Sequence, residues 1–149
     1  SSAIRTTFKT YERLKREQHI DTLFLKGKAF SVFPLRVLFL NTSKIEEEIS
    51  PVRIGFSVPK KKFKTAVQRN RMKRLLREAW RLNKTSLYEA IPEKNQLHIF
   101  LILTSNSEQN FETIRTSLLK AIEQIKKQIP YLQNTLRSEF LKRKIDDSN

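Results

Sequence analysis

The chain has 149 residues, and 30 Lys and Arg against 15 Asp and Glu give it a net charge of +15 at pH 7. Because it has no cysteine, disulfides, a thiolate nucleophile and Cys-ligated zinc are excluded. No apolar run approaches the roughly 20 residues that span a bilayer, and residues 1–16 do not resemble a secretory signal. We therefore expect one intracellular domain whose charge favours a polyanionic partner.

The N-terminal quarter predicts a basic arm followed by a short helix. Residues 1–16 are polar and basic and are expected to be extended or partly disordered. Residues 17–26 predict a helix that ends at Gly27 in the C′ position. That helix places three apolar side chains on one side: Ile20, Leu23 and Phe24.

Two strands are predicted before the most basic part of the chain. Residues 30–34 are typical of a turn or a sheet edge, and residues 35–40 are rich in aromatic and branched side chains, which favours a strand. The acidic run at residues 46–48 is expected at a solvated loop tip. Residues 52–58 alternate apolar and other side chains, which predicts a strand with one buried face.

The densest positive charge follows that strand. Residues 49–77 contain ten Lys and Arg and no Asp or Glu. Thr65 and Gln68 have the spacing of a capping box, so a helix is predicted to begin at Ala66. Its apolar stripe consists of Met72, Leu75, Leu76, Ala79 and Leu82. The opposite side, here called the basic face, consists of Arg69, Asn70, Lys73, Arg74, Arg77, Arg81 and Lys84. Like charges four residues apart repel, so phosphates at this face would be favourable.

The remaining chain predicts a loop, a strand and a helix. Residues 84–96 are expected to form a loop, and residues 97–103 form a central strand because they are apolar on both faces. Residues 110–129 have apolar side chains at helical spacing, ending before Pro130, and the tail at 130–149 is left open between helix and disorder. The order α-β-β-α-β-α indicates an α+β fold, an α/β sandwich with one sheet, in a single domain at residues 17–129.

Catalytic and metal-binding motifs are absent from the sequence. His19 and His98 are far apart and are interpreted as structural, and no HExxH, glycine-rich phosphate loop or local Asp pair is present. Binding of RNA would use cations along the backbone and exposed aromatic rings for stacking. The candidates for stacking are Phe24, Phe39, Phe63 and Trp80, and each of them also suits a core position.

The motifs of this basic region resemble those of the protein subunit of bacterial ribonuclease P. The residues that carry the resemblance are Gly55-Phe-Ser-Val58, Lys60-Lys61 and Ala66-Val-x-Arg69-Asn70-Arg71-x-Lys73-Arg74-Leu75-x-Arg77-Glu78, with weaker support from Arg13-Leu-Lys. The likeness covers about residues 13–127. It implies a fold similar to a ribosomal small-subunit protein domain, with a left-handed β-α-β crossover that contravenes the usual rule.

By this resemblance, the protein assists a catalytic RNA in removing the 5′ leader of precursor tRNA. The RNA is expected to perform the Mg²⁺-dependent hydrolysis, so no catalytic residue, tightly bound cofactor or metal is assigned to the protein. The residues implied in binding the catalytic RNA are Lys60, Lys61, Arg69, Asn70, Arg71, Lys73, Arg74 and Arg77. Those implied in the cleft for the leader are Ile20, Phe24, Leu38, Lys73 and Arg77. The expected location is the bacterial cytoplasm, without membrane or DNA partners.

Three alternatives are weighed against this hypothesis. A ribosomal or other structural RNA-binding protein needs the same charge but has no preference for a precursor. A reader of double-stranded DNA is disfavoured because a strand, and not a helix, precedes the basic helix. A protein-only nuclease is disfavoured because the chain has no suitable pair of acids.

Overall fold

The computed structural model describes the backbone of residues 12–14, 17–43 and 50–147. The predicted acidic loop tip at 46–48 and most of the predicted arm lie outside these residues. Eight elements follow in chain order: α1 (Glu17–Lys26), β1 (Lys28–Val32), β2 (Leu35–Ser43), β3 (Val52–Ser57), α2 (Ala66–Asn83), α3 (Thr85–Ala90), β4 (Asn95–Leu103) and α4 (Phe111–Asp147). The predicted mixed α+β class is confirmed.

The four strands form one sheet in the order β1-β2-β4-β3. β1 pairs with β2 and β2 with β4 in antiparallel fashion, whereas β3 runs parallel to β4. A parallel pair needs a crossover connection, and here α2 and α3 lie on it. After this crossover, the chain enters β4, which lies between β2 and β3. The prediction of a central strand at 97–103 is therefore confirmed. The hand of the crossover stays a prediction.

Helices cover both faces of the sheet. α1 packs against β2 and β4 on one face, while α2, α3 and α4 pack together and against the other. Alternation within each strand divides the apolar side chains between two cores. The larger core includes Phe39, Ile54, Leu76 and Ile99, and the smaller one, beneath α1, is built on Leu14, Leu23 and Leu38.

The prediction of a turn or sheet edge at residues 30–34 is confirmed, since residues 28–32 form the edge strand β1, which is mostly exposed and so lacks a clear apolar pattern. The structure corrects two other predictions about elements. Residues 85–90 form a short helix instead of a loop, with Leu87 and Tyr88 buried, because packing stabilises helices too short to form alone. The last helix does not end before Pro130 but continues to Asp147; a proline removes one hydrogen bond, after which the helix can propagate again.

Gly27 follows α1 as predicted, but it does not take the left-handed conformation, since no glycine has a positive φ in the described residues. Its backbone N donates to the Leu23 carbonyl at 2.8 Å. A Cβ atom at this position would lie 2.4 Å from the Leu23 carbonyl oxygen and 3.0 Å from that of Phe39. Close approach of two backbones, not an αL turn, therefore requires glycine at this junction.

Candidate nucleic-acid interface

α2 begins and ends where its sequence signals place it. Thr65 is extended, with φ −96° and ψ 146°, and its side-chain oxygen accepts a hydrogen bond from the Gln68 backbone N at 3.2 Å. The helix packs through four buried side chains: Met72, Leu76, Ala79 and Trp80. Leu82, predicted to belong to this stripe, is 51% exposed instead. One side of α2 is thus fixed in the core, which leaves the opposite side available to a partner.

Residues 59–64, here called the lysine loop, form a turn immediately before α2. The backbone N of Phe63 donates to the Pro59 carbonyl at 3.1 Å, and the Phe63 side chain is buried. Lys62 donates to the Thr104 carbonyl at the end of β4. The other three lysines of the loop are exposed: Lys60, Lys61 and Lys64. A buried aromatic ring and two tethers therefore hold these cations at the N-terminus of α2.

The signature residues on α2 differ in their internal contacts. Arg69 is half-buried and donates from Nη1 to the Phe63 carbonyl at 2.8 Å. Arg71 is more exposed and pairs with Glu108 at 2.8 Å. Within the residues that the structure describes, six cations of the loop and helix form neither an ion pair nor a side-chain hydrogen bond: Lys60, Lys61, Lys64, Lys73, Arg74 and Arg77. These six have no protein counter-charge, so a polyanion would supply it.

Two cations of the predicted basic face, Arg81 and Lys84, are paired with carboxylates of the protein. Arg81 forms a bidentate pair with Glu78, and the hydrogen bond from Arg81 lowers the pKa of that carboxyl below its usual value. Lys84 is fully buried, with Nζ 2.7 Å from Glu12 Oε1. The prediction that Lys84 widens the basic face is therefore wrong: α2 ends at Asn83, and the chain turns Lys84 inward towards Glu12.

A groove of about 250 Å³ lies where α2 meets the edge of the sheet. We define the groove by its lining residues: Arg13, Leu14, Ile54, Gly55, Phe56, Lys73 and Arg77. Segment 12–14 lies along β3, with the Leu14 backbone N donating to the Ile54 carbonyl at 2.9 Å. The groove thus has an apolar floor and cations from two separate parts of the chain.

The implied leader cleft at α1 adjoins this groove through Phe100. Phe24 is 53% exposed, and its ring meets that of Phe100 edge to face, with 5.7 Å between centroids. A Cβ atom on Gly55 would lie 2.8 Å from Phe100 Cδ2, so Phe100 bridges α1 and the floor of the groove. Ile20 is half-buried beside the smaller core, whereas Leu38 is only 5% exposed and lies in it.

Sequence reasoning missed Arg13, Phe56 and Phe100 as members of this surface. Arg13 and Phe56 occur in the motifs that carry the resemblance, so a signal for these two was present. Phe100 lies in a strand that is apolar on both faces, where nothing marks one ring as accessible. Of the four aromatic candidates, Phe39, Phe63 and Trp80 are core residues with at most 2% exposure, and Phe24 is the accessible ring.

Among the described residues, no group of three His, Cys, Asp or Glu side chains is arranged to hold a metal ion. His98 is buried, and its Nε2 lies 2.8 Å from Gln96 Oε1, which fits the predicted structural role. The side chain of His19 is outside the described part. No helix in the described ranges is long and apolar enough to cross a membrane.

Comparison with known proteins links this surface to one family. The sequence profile of ribonuclease P matches residues 8–126. The chain is 39% identical over 121 residues to the ribonuclease P protein component of Porphyromonas gingivalis, covering 80% of this chain and 86% of the relative. It is 31% identical over 129 residues to that of Chlorobium phaeobacteroides, covering 80% and 88%.

Solved structures agree with this match. The RNase P protein of Staphylococcus aureus superimposes with a TM-score of 0.61 and 26% identity, covering 81% of this chain and 99% of that one. The RNase P protein of Thermotoga maritima gives a TM-score of 0.59 and 27% identity, covering 76% and 96%. The sequence similarity and the similarity of fold therefore each extend over about three quarters or more of the chain.

Proposed function

We propose which RNA each surface of the protein binds, on the premise that the chain belongs to the family of ribonuclease P protein components. As a member of this family, it is part of an endoribonuclease that processes the 5′ leader of precursor tRNA. The lysine loop and the exposed cations of α2 bind the catalytic RNA subunit. The groove, with the ring of Phe24 beyond it, binds the single-stranded leader of the precursor. The alternative of a ribosomal RNA-binding protein is not favoured, since the family match and the relatives are ribonuclease P proteins.

The observation that carries this proposal is the set of six cations that form neither an ion pair nor a side-chain hydrogen bond in the described residues. They lie on the lysine loop and on one side of α2, and two of them, Lys73 and Arg77, line the groove. Binding of phosphates removes the mutual repulsion of these cations and releases the counterions of the RNA. The same two residues give the leader a place next to the surface that holds the catalytic RNA.

Catalysis itself is assigned to the RNA subunit. Following the family to which the chain belongs, Mg²⁺ is assigned to the RNA-protein holoenzyme, and no step is routed through the protein. The contribution of the protein is then one of binding. A precursor carries leader phosphates that the mature tRNA lacks, and only the precursor exchanges the counterions of those phosphates for protein cations.

The groove can be tested by the affinity of the reconstituted holoenzyme for 5′-extended and mature tRNA. Contact with about five single-strand phosphates predicts that log affinity for the precursor falls about 3.5 units further per tenfold increase in salt than log affinity for the mature tRNA. Replacing Lys73 and Arg77 with alanine is expected to remove most of the difference in affinity between the two tRNAs.

The matched control is Lys28→Ala, which removes an exposed cation from β1 at the edge of the sheet opposite β3. It is expected to leave the preference for the precursor unchanged. If the Lys28 variant loses the preference as strongly as the Lys73 and Arg77 variants, the effect comes from net charge alone. The groove would then not be the site for the leader.

A further inference from the structure

An ion pair buried in the protein joins segment 12–14 to the end of α2. Lys84 is fully buried and Glu12 is 3% exposed, and Lys84 Nζ lies 2.7 Å from Glu12 Oε1. The same ammonium group lies 5.1 Å from the centroid of the Tyr88 ring. Since Lys84 is the residue between α2 and α3, the pair connects the arm to the junction of the two helices.

A buried ion pair of this kind adds little net stability compared with apolar side chains, because both charges lose their hydration. It does fix geometry, since each charge is costly to bury without the other. Glu12 is consequently held at one position relative to α2. The fixed position of Glu12 in turn limits where the next residue, Arg13, can lie.

The segment alternates like a strand, with Glu12 and Leu14 buried and Arg13 exposed between them. Two contacts hold it against β3: Arg13 forms a parallel bridge with Ile54, and Arg53 Nη1 donates to the Arg13 carbonyl at 3.4 Å. Leu14 packs in the smaller core with Leu23 and Leu38. Because side chains alternate in direction along an extended chain, anchoring residues 12 and 14 directs residue 13 outward. Arg13 lines the groove together with Lys73 and Arg77.

We propose that Glu12 is a positioning residue for the leader. Through its pair with Lys84, it keeps Arg13 at the groove, so that a leader phosphate is bound by a cation from the arm as well as by the cations of α2. This inference rests on the proposed function of the groove. Its distinctive consequence is that a buried carboxylate, through its neighbour, strengthens the binding of an anionic ligand.

The sign of the effect separates this role from simple electrostatics. Replacing Glu12 with glutamine removes a negative charge, which by itself raises the affinity of a basic protein for RNA. If Glu12 positions Arg13, the same replacement weakens binding of the precursor. Glu89→Gln is the matched control, because it removes one exposed carboxylate from α3 without touching the groove.

The experiment compares the full chain with three variants, E12Q, R13A and E12Q/R13A, each reconstituted with a bacterial ribonuclease P RNA. The readouts are the affinities for 5′-extended and mature tRNA across a range of salt concentrations. R13A is expected to lower the ratio of the two affinities about tenfold, as loss of one charge-assisted contact does, and to lower the salt slope by about 0.7. E12Q is expected to cause most of that loss, and the double variant no more than R13A.

Each outcome bears on the inference. Additive losses in E12Q/R13A would show that Glu12 does not act through Arg13. A normal ratio in R13A, while the unmodified chain prefers the precursor, would overturn the inference and leave the proposed function intact. No preference in the unmodified chain would overturn both. If circular dichroism shows that E12Q is unfolded, the variant E12Q/K84M takes its place, because it leaves no unpaired buried charge. It is expected to show the same loss, and a normal ratio of the two affinities in E12Q/K84M would contradict the positioning role of Glu12.

Discussion

Replacing Arg69 with alanine is expected to weaken RNA binding and to lower the stability of the fold at the same time. Arg69 belongs to the signature of the basic helix, but it also donates to the Phe63 carbonyl at 2.8 Å and is half-buried. This bond connects α2 to the lysine loop, whose own backbone bonds run only to Pro59. The guanidinium thus orders the loop that carries neighbouring cations.

The magnitude follows from the kind of bond that is lost. A hydrogen bond from a charged group contributes about 1.5–3 kcal/mol, and water can replace part of it at a half-buried site. We therefore expect Arg69→Ala to lower the free energy of unfolding by about 1–2 kcal/mol. For a chain of this length, that corresponds to a decrease in Tm of about 3–7 °C.

The assay measures thermal unfolding by circular dichroism and binding to a ribonuclease P RNA in parallel. Arg74→Ala is the matched control, because Arg74 is exposed on the same helix and makes no hydrogen bond or ion pair within the residues described. It is expected to change stability by less than about 0.5 kcal/mol while also weakening RNA binding. Equal Tm values for the two variants would refute the structural role of Arg69.

Three further predictions concern stability. Lys84→Met removes the ammonium group that pairs with the buried carboxylate of Glu12 and is expected to lower the free energy of unfolding in urea by about 3–5 kcal/mol, with E12Q/K84M recovering at least half. No loss in the single variant would contradict the role of the pair. Gly55→Ala is expected to cost about 1–3 kcal/mol, because its Cβ would lie 2.8 Å from Phe100 Cδ2, and an unchanged Tm would show that the ring yields freely. Burial raises the pKa of Tyr88, so the phenol loses its proton at a lower pH in the unfolded state than in the folded state. The contribution of Tyr88 to the free energy of unfolding is therefore fully present below about pH 10. Above that pH, it falls by up to about 1.4 kcal/mol per pH unit. Tyr88→Phe is expected to remove that part of the decrease.

Local signals in the sequence are sufficient to predict α2, the helix that is proposed to bind RNA. The Thr65 cap and the helical spacing that follows place both ends of α2 correctly, because a helix end depends on hydrogen bonds to near neighbours. β4 was identified as central for a related reason. A strand buried on both faces is apolar throughout, and β4 does lie between β2 and β3.

Contacts between distant parts of the chain were not predictable in this way. A helical projection places Lys84 beside the cations of α2, but its partner, Glu12, lies 72 residues away. Nothing near Lys84 in the sequence indicates that its charge is buried. Arg13 and Phe100 likewise become part of one surface only when segment 12–14 lies along β3 and the sheet brings Phe100 beside Gly55.

The predicted end of α4 before Pro130 is wrong, because one proline does not end this helix. Proline disfavours a helix by removing one hydrogen bond and crowding the preceding turn, yet the helix in this chain continues to Asp147. A single local signal is therefore weaker evidence than the combination of cap, spacing and charge that defined α2.

The most direct test of the central claim is cleavage of a 5′-extended tRNA at low magnesium by a bacterial ribonuclease P RNA, with and without this protein. The account predicts stimulated cleavage at the mature 5′ end when both are present, and no cleavage by the protein alone. If the protein binds the RNA tightly and cleavage is not stimulated, it does not serve as the subunit described here.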